Sequence, residues 1–268
     1  MYGAIAGDMI GSPFEFDRGD KTKEFALFSR ESHFTDDSVM TIAVAEALLN
    51  VGKDAGTEAI KGEAVKSMRK WGRRYPHAGY GSSFIRWLQS ANPGPYNSWG
   101  NGSAMRVSPA GWLYDSLDRT REVARATAEV THNHPEGIKG AEATASAIFL
   151  SRSGWPKERI KEYIARSFGY DLDTTCDEIR PGYRHVESCQ QTVPQAIRSF
   201  IEGESFEDVV RTAVSLGGDC DTLTCIAASI AEAYYGIDGF IKEEVRHRVR
   251  KEMLAVIDRF YEAAGRKA

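Results

Sequence analysis

Apolar residues recur along this chain at three- and four-residue intervals, and no segment sustains an in–out alternation. The pattern predicts roughly ten to twelve helices and no strand. Small apolar residues over 3–11 read as a tightly packed helix that ends at Ser12-Pro13. Residues 35–49 follow, with Val39, Ile42, Ala43, Leu48 and Leu49 inward. Segments 57–74, 118–130, 138–150, 156–168, 193–202 and 206–215 continue the helical period, with Pro194 allowed in a first turn, and 84–88 is a short apolar segment. Leu223, Ile226, Ala227, Ile230, Ala233 and Tyr234 mark a buried helix stopped by Gly236. A charged helix over 240–263 is expected on the outside. Residues 17–34, 75–83, 91–111 and 171–190 read as loops. Nothing resembles a linker, so the expectation is one all-α domain over 1–268, a compact multi-helix orthogonal bundle.

Two of the predicted helices open on acids. Thr35-Asp36-Asp37-Ser38 precedes one, and Gly217-Gly218-Asp219-Cys220-Asp221-Thr222 precedes the other. An ordinary explanation is helix capping, with Thr35 or Asp36 as the cap and Asp37 favoured by the dipole. It covers only part of each motif. Carboxylates and hydroxyls are hard oxygen ligands suited to Mg²⁺ or Mn²⁺. A cation facing two positive helix ends needs both acidic sets at once, so they are read as halves of one site. Asp8, alone among small apolar residues, is read as a buried carboxylate satisfied by backbone donors or by a ligand residue. Glu15 stands between Phe14 and Phe16, where it could equally face solvent.

Composition narrows the field. The 268 residues carry 34 Lys+Arg against 38 Asp+Glu, a net charge of −4. That balance disfavours nucleic acid as an electrostatically driven partner, while leaving it open as a modified acceptor. The basic face of 57–74 reads as solvated. No apolar run reaches a membrane span, and no basic region precedes the apolar start. Four cysteines (Cys176, Cys189, Cys220, Cys225) suggest reduced cytosolic thiols, and a monomer is expected. Their spacing, and that of His132 and His134 ahead of Pro135, fits zinc poorly. His132 and Asn133 read better as hydrogen-bond partners of a polar ligand. In the 91–111 loop, Gly100-Asn101-Gly102-Ser103 can form a nest of N–H groups for a phosphate. Arg106 either pairs with that phosphate or anchors the loop through a salt bridge.

Five stretches taken in order resemble the ADP-ribosylglycohydrolase family: Gly3 to Phe16, Phe34 to Ser38, Gly100 to Arg106, Thr131 to His134, and Gly217 to Thr222. With Ser188 to Pro194 they span nearly the whole chain. The resemblance implies an all-helical fold with two Mg²⁺ or Mn²⁺ ions held by Thr35, Asp36, Asp37, Asp219, Asp221 and Thr222. In such relatives the metals hold the diol of the distal ribose and a bound water attacks its anomeric carbon. Glu15 and Asp37 are then the expected catalytic residues. Gly100, Asn101, Gly102, Ser103, Met105 and His132 are the expected substrate contacts. The implied activity is hydrolysis of the bond between ADP-ribose and an acceptor, expected to be a protein side chain. A free derivative such as O-acetyl-ADP-ribose, or binding without catalysis, are the alternatives. Ser38 stands where threonine is commoner. Cys220 stands where a small residue is usual and suggests an oxidation-sensitive site.

Overall fold

The computed structural model describes residues 1–266. Among them the chain forms α1 (Tyr2–Gly11), α2 (Asp36–Val51), α3 (Thr57–Arg74), α4 (Ser82–Gln89), α5 (Gly102–Met105), α6 (Ser108–Leu113), α7 (Leu117–Glu129) and α8 (Pro135–Arg152). It continues as α9 (Lys157–Phe168), α10 (Cys176–Ile179), α11 (Cys189–Glu202), α12 (Phe206–Leu216), α13 (Cys220–Tyr235), α14 (Gly239–Arg248) and α15 (Lys251–Ala263). Among the described residues the only β-type pairing is one antiparallel bridge between Gly100 and Ser188. The all-α expectation holds.

Fifteen helices exceed the predicted number. The 91–111 loop hides α5 and α6, with Pro109 in the first turn of α6, where its missing N–H costs nothing. The 171–190 loop hides α10, started by a reciprocal capping box between Thr175 and Glu178. The predicted 240–263 helix is two, broken where Val249 and Arg250 are extended. Its second half is not peripheral, since Met253, Ile257 and Phe260 are buried and α15 packs on α2. Helix α8 starts earlier than expected because His134 caps it, its Nδ1 accepting from Glu136 N at 3.1 Å. Helix α11 starts at Cys189, so Pro194 lies inside it rather than in its first turn. The carbonyl that Pro194 cannot serve belongs to exposed Gln190, which water can reach.

Helices α1 and α13 form the centre. Every residue of α1 is buried, and so is α13 from Cys220 to Glu232. Gly3, Gly7 and Gly11 recur every fourth residue on the face of α1 that meets α13. A Cβ on Gly11 would lie 2.6 Å from Asp221 Cα, and one on Gly7 would lie 2.7 Å from the Thr224 carbonyl carbon. The two backbones therefore touch without intervening side chains. Helix α2 packs beside α1, with α3 and α15 over it. Helices α8, α11 and α12 close around α13.

Candidate active site

The glycine contact sets the site, because it brings Asp8 on α1 against the start of α13. Ligand atoms of Asp8, Asp37 and Asp221 lie within 4.8 Å of one another, and so do those of Glu15, Asp219 and Asp221. Asp8 organises the first acidic motif. It accepts from Thr35 N at 2.9 Å, Thr35 Oγ1 at 2.8 Å, Ser38 N at 3.0 Å and the Ser38 hydroxyl. Thr35 caps α2, so Asp36 and Asp37 occupy its first turn, where the dipole favours them. Asp37 Oδ2 accepts from Thr222 Oγ1 at 3.1 Å, which joins the two motifs directly. Asp219 precedes α13 after Gly217 and Gly218, both at positive φ (+75° and +79°). Asn101 Nδ2 holds its carboxylate at 2.6 Å.

Six acids thus crowd together, and no lysine or arginine forms an ion pair with any of them among the described residues. Burial, and then the charge of Asp221, push Asp8 and Glu15 each up to about 7. The same two causes hold Asp36, Asp37 and Asp219 well above the usual carboxylate range. Asp37 Oδ1 is buried with no hydrogen-bond partner. A buried orphan oxygen among mutually repelling carboxylates is costly unless a cation compensates it. The donor set is all oxygen, so the cluster fits a hard divalent cation.

A cavity of about 270 Å³ opens over the cluster. Glu15, Asp36, Asp37, Asp219, Asp221 and Thr222 are in its wall, and so are Gly100, Asn101, Gly102, Met105, Arg106 and His132, with residues of the 79–84 segment and Tyr96 completing it. Two expected residues are not in its wall. The Thr35 hydroxyl is engaged with Asp8, and Ser103 Oγ donates to Gly137 O at 2.7 Å. The expected nest is only half available. Gly100 N donates to Ser98 Oγ and Asn101 N to Glu187 O, leaving the N–H groups of Gly102 and Ser103 without an acceptor among the described residues. Asn133 points away and accepts from Asn97 N at 2.7 Å. Arg106 makes no salt bridge among the described residues, so the loop-anchor expectation fails in that form; its partners are Thr127 O and Thr131 Oγ1. Cys220 is fully buried beside Val214 and Thr224, and burial pushes its thiol up, which argues against ready oxidation.

One residue escaped the sequence. Asp17 Oδ1 accepts from Gly218 N at 2.9 Å and Oδ2 from His185 N at 3.0 Å. It ties the Glu15 loop to the Gly-Gly turn, but an aspartate in a charged loop carries no distinguishing pattern.

The sequence matches the ADP-ribosylglycohydrolase family over residues 1–268. The chain belongs to the ADP-ribosylglycohydrolase family. Among curated proteins it is 27% identical to ADP-ribosylhydrolase ARH3 of Danio rerio, an alignment covering 89% of this chain and 82% of that protein. Human ARH3 is 26% identical over 89% of this chain and 85% of its own length. ADP-ribosylarginine hydrolase Tri1 of Pseudomonas putida is 24% identical, covering 91% and 72%. A solved structure described as an ADP-ribosylglycohydrolase-related protein complex shares the fold, with a TM-score of 0.72 at 24% identity over 98% of this chain and 95% of that one. In this chain each of the five stretches that carry the resemblance supplies at least one residue to the cavity over the acidic cluster.

Proposed function

We propose that this chain is a metal-dependent hydrolase that cleaves the glycosidic bond between the distal ribose of ADP-ribose and an acceptor, releasing ADP-ribose. The acceptor proposed is a side chain of an ADP-ribosylated protein. The observation that carries this reading is the meeting of both acidic helix starts and Glu15 in the wall of one cavity with the Gly100–Gly102 turn and His132. Relatives named as ADP-ribosyl hydrolases support it.

Asp36, Asp37, Asp219, Asp221 and Thr222 would hold two Mg²⁺ or Mn²⁺ ions, with Thr35 one hydrogen bond behind them on Asp8. Bound there, the cations would neutralise the carboxylates, fix the ribose diol and raise the acidity of water. The remaining chemistry belongs to the chain. Cleavage at ribose passes through an oxocarbenium-like state that needs a proton moved at each side of the bond. Glu15, with its carboxyl at about 7, exists in both forms near neutrality. It is suited to take a proton from the attacking water or to give one to the leaving acceptor. The free N–H group of Gly102 and the ring of His132 face the anionic part of the substrate. Asn101 lines the cavity and also holds Asp219 through Nδ2.

The test is a panel of arginine-, serine- and nucleobase-linked ADP-ribose together with O-acetyl-ADP-ribose, each with Mg²⁺ or Mn²⁺, read by release of ADP-ribose. Release from a protein conjugate is expected. Release from the acetyl ester alone would move the function to a free metabolite. ADP-ribose binding with no release from any substrate would make this a binding protein.

A further inference from the structure

Arg106 is fully buried, and its Nη2 donates to Thr127 O at 3.0 Å and to Thr131 Oγ1 at 2.7 Å. A guanidinium has donors only, so the threonine oxygen accepts. The hydroxyl proton of Thr131 then needs an acceptor of its own. Ala128 O, 3.5 Å away, already receives the N–H groups of Thr131 at 3.1 Å and His132 at 2.8 Å, which occupy both of its lone pairs. His132 Nδ1 stands 2.7 Å from the hydroxyl. The proton goes there, Nδ1 is the acceptor, and the single proton of the ring sits on Nε2. Burial, and then the nearby charge of Arg106, hold the imidazole neutral. Nε2 is turned to the Gly100–Gly102 turn: a Cβ on Gly102 would come within 3.2 Å of it, and one on Gly100 within 3.4 Å.

We propose that Arg106 and Thr131 are positioning residues that fix His132 as an Nε2–H donor into the cavity, where it reads a phosphate oxygen of a nucleoside-diphosphate ligand. The ligand class rests on the function proposed above; the direction of the hydrogen bonds does not. The opposite tautomer would present a lone pair to that oxygen and repel it. The relay explains why a guanidinium lies beside the cavity without a carboxylate partner: its hydrogen bonds orient a neighbour, and its charge keeps that neighbour neutral.

Long-range proton–nitrogen NMR on protein labelled with ¹⁵N-histidine tests this, with the His132 signals assigned by their loss in His132→Gln. A bare Nδ1 and a protonated Nε2 are expected in the unaltered chain. Thr131→Val should mix or reverse the tautomers and weaken ADP-ribose binding by about tenfold, one hydrogen bond to a charged group. KM should rise with kcat little changed, and Thr131→Ser should restore tautomer, affinity and KM together. A protonated Nδ1 in the unaltered chain overturns the proposal, and that spectrum decides even if Thr131→Val does not fold. So does a folded Thr131→Val protein that keeps both tautomer and affinity. The expected tautomer in a protein with no affinity for ADP-ribose or ADP would leave the relay standing and remove the phosphate reading along with the proposed function.

Discussion

Glu15 depends on its neighbours for its place over the acidic cluster. Phe16 and Asp17, which follow it, both sit in the left-handed region, at φ +59° and +57°. That conformation is uncommon for a phenylalanine and is kept only where contacts impose it. Here the Phe16 ring packs on His185 with centroids 4.8 Å apart, and the Asp17 carboxylate receives the backbone N–H groups of Gly218 and His185. Removing that carboxylate frees the loop. Asp17→Ala is expected to lower kcat on an accepted substrate by about tenfold or more, since small misplacements of reacting groups are expensive. Divalent-metal affinity by calorimetry should fall less than kcat, because Asp17 holds the turn before Asp219 and is not itself part of the acidic cluster. An unaltered kcat would show that the turn holds without its clamp. Glu15→Gln separates the same two properties more sharply: activity should fall by about 10²–10⁴-fold with metal affinity retained. A fully active Glu15→Gln enzyme would remove Glu15 from the chemistry.

At the scale of helices, the α1–α13 contact couples fold to site. Gly7→Ala inserts a methyl against the backbone at Thr224 and Cys225, which has no rotamer by which to yield. A loss of about 3 kcal/mol is expected in chemical denaturation, the upper end for overpacking. Gly11→Ala presses on Asp221 itself and should cost metal affinity as well as stability. Gly62, exposed inside α3 with nothing near its missing Cβ, is the control: Gly62→Ala should stabilise by about 1 kcal/mol. Equal effects at Gly7 and Gly62 would mean that the helices can separate without cost. These contrasts also explain what could be read from sequence. Helix α3 keeps one apolar face, and its observed ends coincide with the predicted ones. Helices α5 and α10 are four residues each, too short for a period to show. The break between α14 and α15 falls at Val249-Arg250, where neither glycine nor proline marks it. The acidic motifs were legible because carboxylates opening buried helices have little packing use. Asp17 and the Arg106 partners were not, because their roles come from contacts between distant segments.

For the whole molecule, the acidic cluster is a folding cost that a cation should relieve, and pH exposes it. The carboxyls of Asp8 and Glu15 titrate at about 7 in the folded chain, against about 4 in an unfolded one. The folded state therefore binds more protons than the unfolded state between those values. Its stability falls as pH rises through that window, and the further-raised Asp36, Asp37 and Asp219 extend the loss upward. Acids held low by partners, such as Asp208 and Glu252, contribute their full stabilisation above about pH 5 and lose it only as pH falls further. His132 acts in the opposite sense, since its folded value is depressed and deprotonation above about 6.5 favours the folded state. A bare melting curve would mix these effects. The difference between metal-loaded and chelated protein does not, because His132 lies outside the acidic cluster and its term cancels. That difference should be small at pH 5.5, where protons compete for the carboxylates, and should grow steadily to pH 8. At a metal concentration of 100 times Kd it should reach about 2.7 kcal/mol for each ion bound. Melting temperatures measured with chelator, Mg²⁺ and Mn²⁺ at several pH values provide the check. An absent metal increment would mean that the six acids share protons and hold no cation; one constant from pH 5.5 to 8 would mean that the cation binds elsewhere than at these acids.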